Sequence, residues 1–160
     1  MSRQIIKQRE IVADTWKYAD EDAEAAAVII PVVRFLADRQ QWLGSGKKLG
    51  VRIGPVDSVA TFAQDLSRLS LVAIEFGGLS EGRGYTHAQL LRGRHDFRGE
   101  IRAVGKIQRD QVFYMARCGF DAFEFPEGTD LQVALTAFAD FSVAYQPSAD
   151  QGVRLRQRAR

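Results

Sequence analysis

The chain has 160 residues, with 22 lysines and arginines against 20 aspartates and glutamates; its 46% hydrophobic and 26% charged composition suits one soluble globular domain with a sizeable core. The formal charge of +2 does not point to nucleic acid, because Arg154, Arg156, Arg158 and Arg160 supply four positive charges and the rest of the chain stands at −2. The single cysteine, Cys118, excludes an intrachain disulfide, no apolar run approaches the ~20 residues of a bilayer span, and MSRQIIKQREIV lacks the apolar core of a secretory signal, so a cytoplasmic protein without membrane or nucleic-acid partners is expected.

Residues 1–24 read as an extended appendage. Gln4–Val12 is a strand candidate, and Asp14–Tyr18 a second extended piece that would complete a hairpin. The acidic, alanine-rich ADEDAEAAA follows as a solvated loop or short helix. Residues 25–147 then repeat one rhythm. Short apolar runs at 28–32, 49–53, 71–76, 100–105 and 121–125 read as strands. Segments of helical period separate them: Phe35 to Leu43, Val59 to Leu69, Tyr85 to His95 and Arg109 to Cys118, with a final helix from Leu131 to Val143. Asp57 or Ser58, Asp110, and Thr129 or Asp130 stand where helix caps belong. Residues 148–160 form a basic tail, expected to be disordered.

Strands that alternate with helices imply right-handed crossovers and a parallel sheet of about five β/α units. Two architectures fit: an incomplete (β/α)₈-like barrel, favoured by the even spacing of the units, and an open doubly wound sheet. A partial barrel leaves edges to cover, which favours a homo-oligomer or a partner subunit. In either, ligands gather at strand C-terminal ends.

Two candidate sites follow from the residues. Arg83, Gly84 and Tyr85, in a glycine-rich stretch after the 71–76 strand, could hold sulfite, sulfate or phosphate on backbone N–H groups; the alternative is a simple turn with Thr86 as cap. Arg52, Glu75, Arg102 and Glu124 place one charge, of alternating sign, near the end of each of four successive strands. If these charges share a face they form either ion pairs that fix strand order or a polar pocket. Neither glycine-rich turn is a dinucleotide or Walker fingerprint, and one cysteine cannot hold an iron–sulfur cluster, so no cofactor is identified. Cys118 reads as a buried structural thiol, His87 and His95 as surface or capping residues rather than metal ligands, and Asp110 as a cap or a general base.

One series of motifs resembles a known family. Glu81-Gly82-Arg83-Gly84-Tyr85-Thr86, Leu90-Leu91-Arg92, Ile101-Arg102-Ala103-Val104-Gly105, Arg109-Asp110-Gln111, Arg117-Cys118-Gly119-Phe120-Asp121-Ala122-Phe123 and Ala144-Tyr145-Gln146 are similar to the bacterial family named domain of unknown function 934. Where the family has Asp-Gly-Arg-Gly-Tyr-Ser, this chain has Glu81 and Thr86 at the ends of the motif, keeping charge and hydroxyl. The resemblance implies an oxidoreductase-type protein linked to sulfite reduction, because the genes of family members accompany those of sulfite reductase. It also implies sulfite reductase or another redox protein as partner. The alternative is a noncatalytic assembly or regulatory module that uses the α/β body as a binding surface.

Overall fold

The structure, a computed structural model, describes residues 2–78 and 82–140. Eight strands form one sheet in the order β2-β1-β8-β7-β6-β5-β4-β3. They are β1 (Gln4–Lys7), β2 (Glu10–Ala13), β3 (Lys17–Tyr18), β4 (Ala27–Pro31), β5 (Lys48–Ile53), β6 (Leu71–Phe76), β7 (Glu100–Gly105) and β8 (Ala122–Phe123). Strands β3 to β8 pair in parallel, while β1 runs antiparallel to both β8 and β2.

The connection between β2 and β3 dictates the shape of this sheet. The two strands lie at opposite ends of the order, yet only Asp14, Thr15 and Trp16 join them. Laid flat, eight strands would separate the edges by about 34 Å, whereas three linking residues span at most about 14 Å. The sheet therefore curls into a half-barrel that brings its edges together.

The helices are α1 (Val32–Ala37), α2 (Arg39–Leu43), α3 (Gly82–Gln89), α4 (Val112–Cys118) and α5 (Leu131–Asp140). Their apolar residues, among them Phe35, Ala88, Met115 and Phe138, pack with Val28, Val51, Val72, Ile74, Ile101 and Phe123 on the convex face. No helix residue belongs to the second cluster, which fills the concave face with Trp16, Tyr18, Ile29, Leu71, Ala73 and Val104. Strand residues thus alternate between a helix-covered face and an interior the sheet fills by itself.

Several local expectations are corrected. Gln4–Val12 is not one strand: Gln8 and Arg9 have φ of 51° and 66°, the signature of a tight primed turn, and they split the segment into the β1–β2 hairpin. The 14–18 piece does not complete that hairpin, because β3 pairs with β4 at the far edge. Val59–Leu69 is two 3₁₀ segments, Val59–Thr61 and Ala63–Arg68, rather than an α-helix. Ser58 caps the first by accepting from the Ala60 N–H, and Asp57 instead accepts from Gly54. The helix from Phe35 breaks at Asp38 into α1 and α2. At the turn after β7 the cap is Gln108, in a reciprocal pair with Gln111, and not Asp110. Asp130 caps α5 through the N–H groups of Gln132 and Val133. Phe141, Val143, Ala144, Tyr145, Gln146 and the basic tail lie outside the described residues, as does Glu81. Among the described residues no helix is long and apolar enough to cross a membrane.

Candidate functional site

The interior is organised by β-register. Arg52 stands opposite Ala73, Ala73 opposite Arg102, and Arg102 opposite Ala122. Alanines thus flank Arg102 on both sides and Arg52 on one, with Pro31 on its other side, and leave the guanidiniums room to lie across the sheet. One level closer to the strand C-terminal ends, Glu75 pairs with Val104, and Glu124 continues β8 by donating its N–H to the Ala103 carbonyl. Arg52, Glu75, Arg102 and Glu124 therefore share the concave face, with the cations on one level and the carboxylates on the next.

Only one of the expected neighbour contacts forms. Arg102 Nη1 reaches Glu124 Oε2 at 3.4 Å. Among the described residues no ion pair within 4.0 Å joins Arg52 to Glu75 or Glu75 to Arg102, and Glu75 is exposed. The first pair fails because the β5–β6 register sets Arg52 opposite Ala73; the second required a stagger of β7 that does not occur, since β6 and β7 run level from Leu71–Glu100 to Phe76–Gly105.

Arg102 finds other partners, and it is fully buried. Its Nε donates to Glu100 Oε2 at 2.9 Å, and its Nη1 and Nη2 donate to the two oxygens of Asp14 at 2.9 and 3.0 Å. Asp14 lies in the three-residue tie between the sheet edges, so this bidentate pair pins the closing connection to the central strand β7. Asp14 also accepts from the Trp16 N–H and from Arg3 Nε. Burial alone would raise the Asp14 pKa, but its hydrogen bonds and charge pairing with Arg102 outweigh burial and lower it. The Arg102 pKa is raised because its carboxylate partners outweigh desolvation.

Arg3, from the start of β1, extends this network to the mouth of the half-barrel. Its guanidinium contacts Asp14, Glu21 and Glu124 at 3.2, 3.6 and 3.0 Å. Tyr18 crosses the gap from β3 and donates its hydroxyl to Glu124 Oε2 at 2.7 Å. The guanidiniums of Arg3 and Arg52 lie 4.9 and 5.3 Å from the Tyr18 ring centroid. Burial first, and then Glu124, raise the Tyr18 pKa, so its phenol stays protonated. At the lower end Lys7 pairs with Glu100 at 2.9 Å. Of these residues, Glu100 was legible beside Arg102, since residues two apart in a strand share a face. Asp14, Tyr18, Arg3 and Lys7 carry no such signal.

At the C-terminal ends of the parallel strands a cleft of about 1130 Å³ opens between residues 2–4, Ala13, the end of β7 at Gly105 and Lys106, and the 124–129 loop with Leu131. Glu124 and Arg3 belong both to its wall and to the buried network. Arg83, Gly84 and Tyr85 lie elsewhere. They are not a turn but the first turns of α3. Gly84 is buried against Phe76, where an added Cβ would sit 2.5 Å from the ring. Tyr85 packs edge-on against Phe76, and its hydroxyl accepts from Gln111 Nε2 at 3.4 Å. Arg83 is exposed.

Cys118 is buried and unoxidised, and no group of three or more potential ligands gathers for a metal among the described residues. His87 is buried rather than surface-exposed, on the inner side of α3, while His95 is half-buried. Burial lowers the His87 pKa from its ordinary 6.5, against upward pulls from the Pro55 carbonyl and Asp57. Neutral His87 thus contributes stability in full above the unfolded value, and that contribution is lost as pH falls below it. Urea unfolding should show a loss of stability between about pH 7 and pH 5 that shrinks in His87→Phe. An unchanged slope would show that His87 does not titrate on unfolding.

A comparison with curated proteins gives no match. The sequence profile of the family described as "Bacterial protein of unknown function (DUF934)" matches residues 50–155, which include β5 from Gly50 onward, strands β6 to β8 and every one of the four strand charges. The chain belongs to this family.

Proposed function

We propose that the protein binds a ligand bearing an anionic group at the mouth of its half-barrel and serves as an accessory, oxidoreductase-type protein of sulfite reduction in assimilatory sulfur metabolism, acting with sulfite reductase or another redox protein. The observation that carries the binding reading is the continuity from fully buried Arg102 through Glu124 and Arg3 to an open cleft. A buried, fully engaged network of this kind holds the wall of the cleft in fixed geometry before any ligand arrives. The cleft also lies where parallel β/α folds bind ligands, and this position is why we extend to the chain the reading of a partial TIM-like barrel. The link to sulfite reduction comes from what family resemblance implies, and electrons would enter through a partner or a cofactor.

Arg83, on the exposed first turn of α3, is a second candidate for contact with an anion or an acidic partner surface. Sedimentation of the purified chain mixed with a bacterial sulfite reductase should reveal a complex, weakened in Arg83→Ala. Independent sedimentation of the two proteins would remove the accessory role.

The filled interior favours a second reading, a noncatalytic assembly or regulatory module. Trp16, Tyr18, Ile29, Leu71, Ala73 and Val104 leave the concave face packed rather than hollow. Among the described residues the large exposed apolar side chains, Val33, Val56, Tyr114 and Val133, stand on four different segments, as single exposed residues commonly do. Homo-oligomerisation through the sheet edges belongs to this reading too, and light scattering at micromolar concentration tests it.

A further inference from the structure

The cleft at the mouth is lined by charges of two kinds. Arg3 and Glu124 are mutually engaged: the Arg3 guanidinium already contacts three carboxylates, and Glu124 takes Arg3 on one oxygen and Tyr18 and Arg102 on the other. Neither offers an unspent charge. Lys106 and Glu127 are exposed, line the same cleft, and form no ion pair within 4.0 Å among the described residues. Among the described residues, the charge available to a ligand is therefore one cation and one anion. Phe125 and Leu131 add apolar surface to the wall.

Size decides against a bare inorganic ion. A four-atom oxyanion takes the room of two or three waters, on the order of 60–90 Å³. The cleft, at about 1130 Å³, is more than ten times that, and lies just above the ~300–1,000 Å³ typical of sites for organic molecules. A small oxyanion also needs converging cations, and among the described residues the wall provides one unspent cation with an unspent carboxylate beside the same space.

We infer that the mouth takes an organic zwitterion of amino-acid or short-peptide type, its acid group on Lys106, its ammonium on Glu127, and its apolar body against Phe125 and Leu131. The inference rests on the reading of the mouth as a ligand site and names the class of that ligand.

The full chain is titrated by calorimetry and amide NMR with the twenty amino acids and a panel of dipeptides. Each is paired with its N-acetylated and its carboxamide form, and sodium sulfite is run in parallel. The expected result is that at least one zwitterion shifts the amides of Lys106 and residues 124–129, and that removing either ligand charge weakens binding about tenfold. Lys106→Ala should erase the preference for the free acid and Glu127→Ala the preference for the free amine. Both residues are exposed, so the variants fold. If sulfite binds at Lys106 as tightly as any zwitterion, or an N-acetylated form binds as well as its parent, the zwitterion assignment is overturned while the mouth remains a ligand site. If no probe shifts those amides, both the assignment and the binding reading fall.

Discussion

Replacing Arg102 with Met is expected to destabilise the protein by about 3–5 kcal/mol, the usual cost of removing one partner from a buried ion network. Met occupies a similar volume, so the loss is electrostatic rather than a cavity effect. Asp14, Glu100 and Glu124 would keep their positions around a site that no longer carries charge, and Asp14 and Glu100 have side chains only 1% and 6% exposed. Near this chain length each kcal/mol moves the melting temperature by about 2–4 °C, so a drop of about 6–20 °C should be seen. Arg102→Lys should fall between parent and Met variant, because one ammonium cannot reach both Asp14 oxygens and Glu100 with the fixed fork of a guanidinium.

The pH dependence separates this account from a generic packing loss. In the parent, Asp14 has a lowered pKa, so its contribution is complete above the ordinary value of 3.8 and is lost as pH falls through and below it. Without Arg102 the same buried carboxylate keeps only half-exposed Arg3 as a counterion, and the desolvation that Arg102 offset then raises its pKa above the unfolded value. The folded state then binds more protons than the unfolded state, and the variant should gain stability as pH falls from about 7 toward 5. Urea midpoints for parent and variant should therefore converge over that range. Midpoints that stay parallel would mean the carboxylates retain other cations, with Arg3 and Lys7 sufficient to hold them.

How much of this was legible in the sequence depends on the range of the interaction. Strand positions follow from apolar runs and a period of two, whereas a shared face for Arg52, Glu75, Arg102 and Glu124 is a condition that the structure meets, with all four on the concave side. Which of them touch was not legible, since pairing depends on register between strands, and a level β6–β7 ladder sets Ala73 rather than Glu75 opposite Arg102. Glu75→Ala should accordingly cost little, within about 0.5 kcal/mol, as for an exposed side chain with no ion pair among the described residues. Asp14 could not be found, because its role depends on a three-residue connection tying two sheet edges that are remote in strand order. The 82–86 motif reads as a turn because it carries two glycines. In the fold Gly84 is helical and serves close packing against Phe76 instead.

Gly105→Ala should be the most damaging small substitution at the mouth, costing about 2–4 kcal/mol. Two penalties combine there. Gly105 has φ of 89°, a conformation that costs an L-residue about 1–2 kcal/mol. An added Cβ would also stand 2.6 Å from the Phe76 carbonyl oxygen, which is backbone of the neighbouring strand and cannot rotate away. That oxygen accepts the Lys106 N–H at 2.8 Å, so relief of the clash must lengthen this bond and move Lys106, the unspent cation of the cleft. Gly128, in the opposite wall, supplies the control: its φ is also 89°, but nothing lies within 4 Å of the Cβ it would acquire. Gly128→Ala should therefore cost only the backbone strain, about 1 kcal/mol, and the difference between the two variants isolates the clash. Denaturation midpoints measured side by side decide the matter. Equal losses would show that the end of β7 yields without disturbing β6, and that the position of Lys106 does not depend on the tight approach of the two strands.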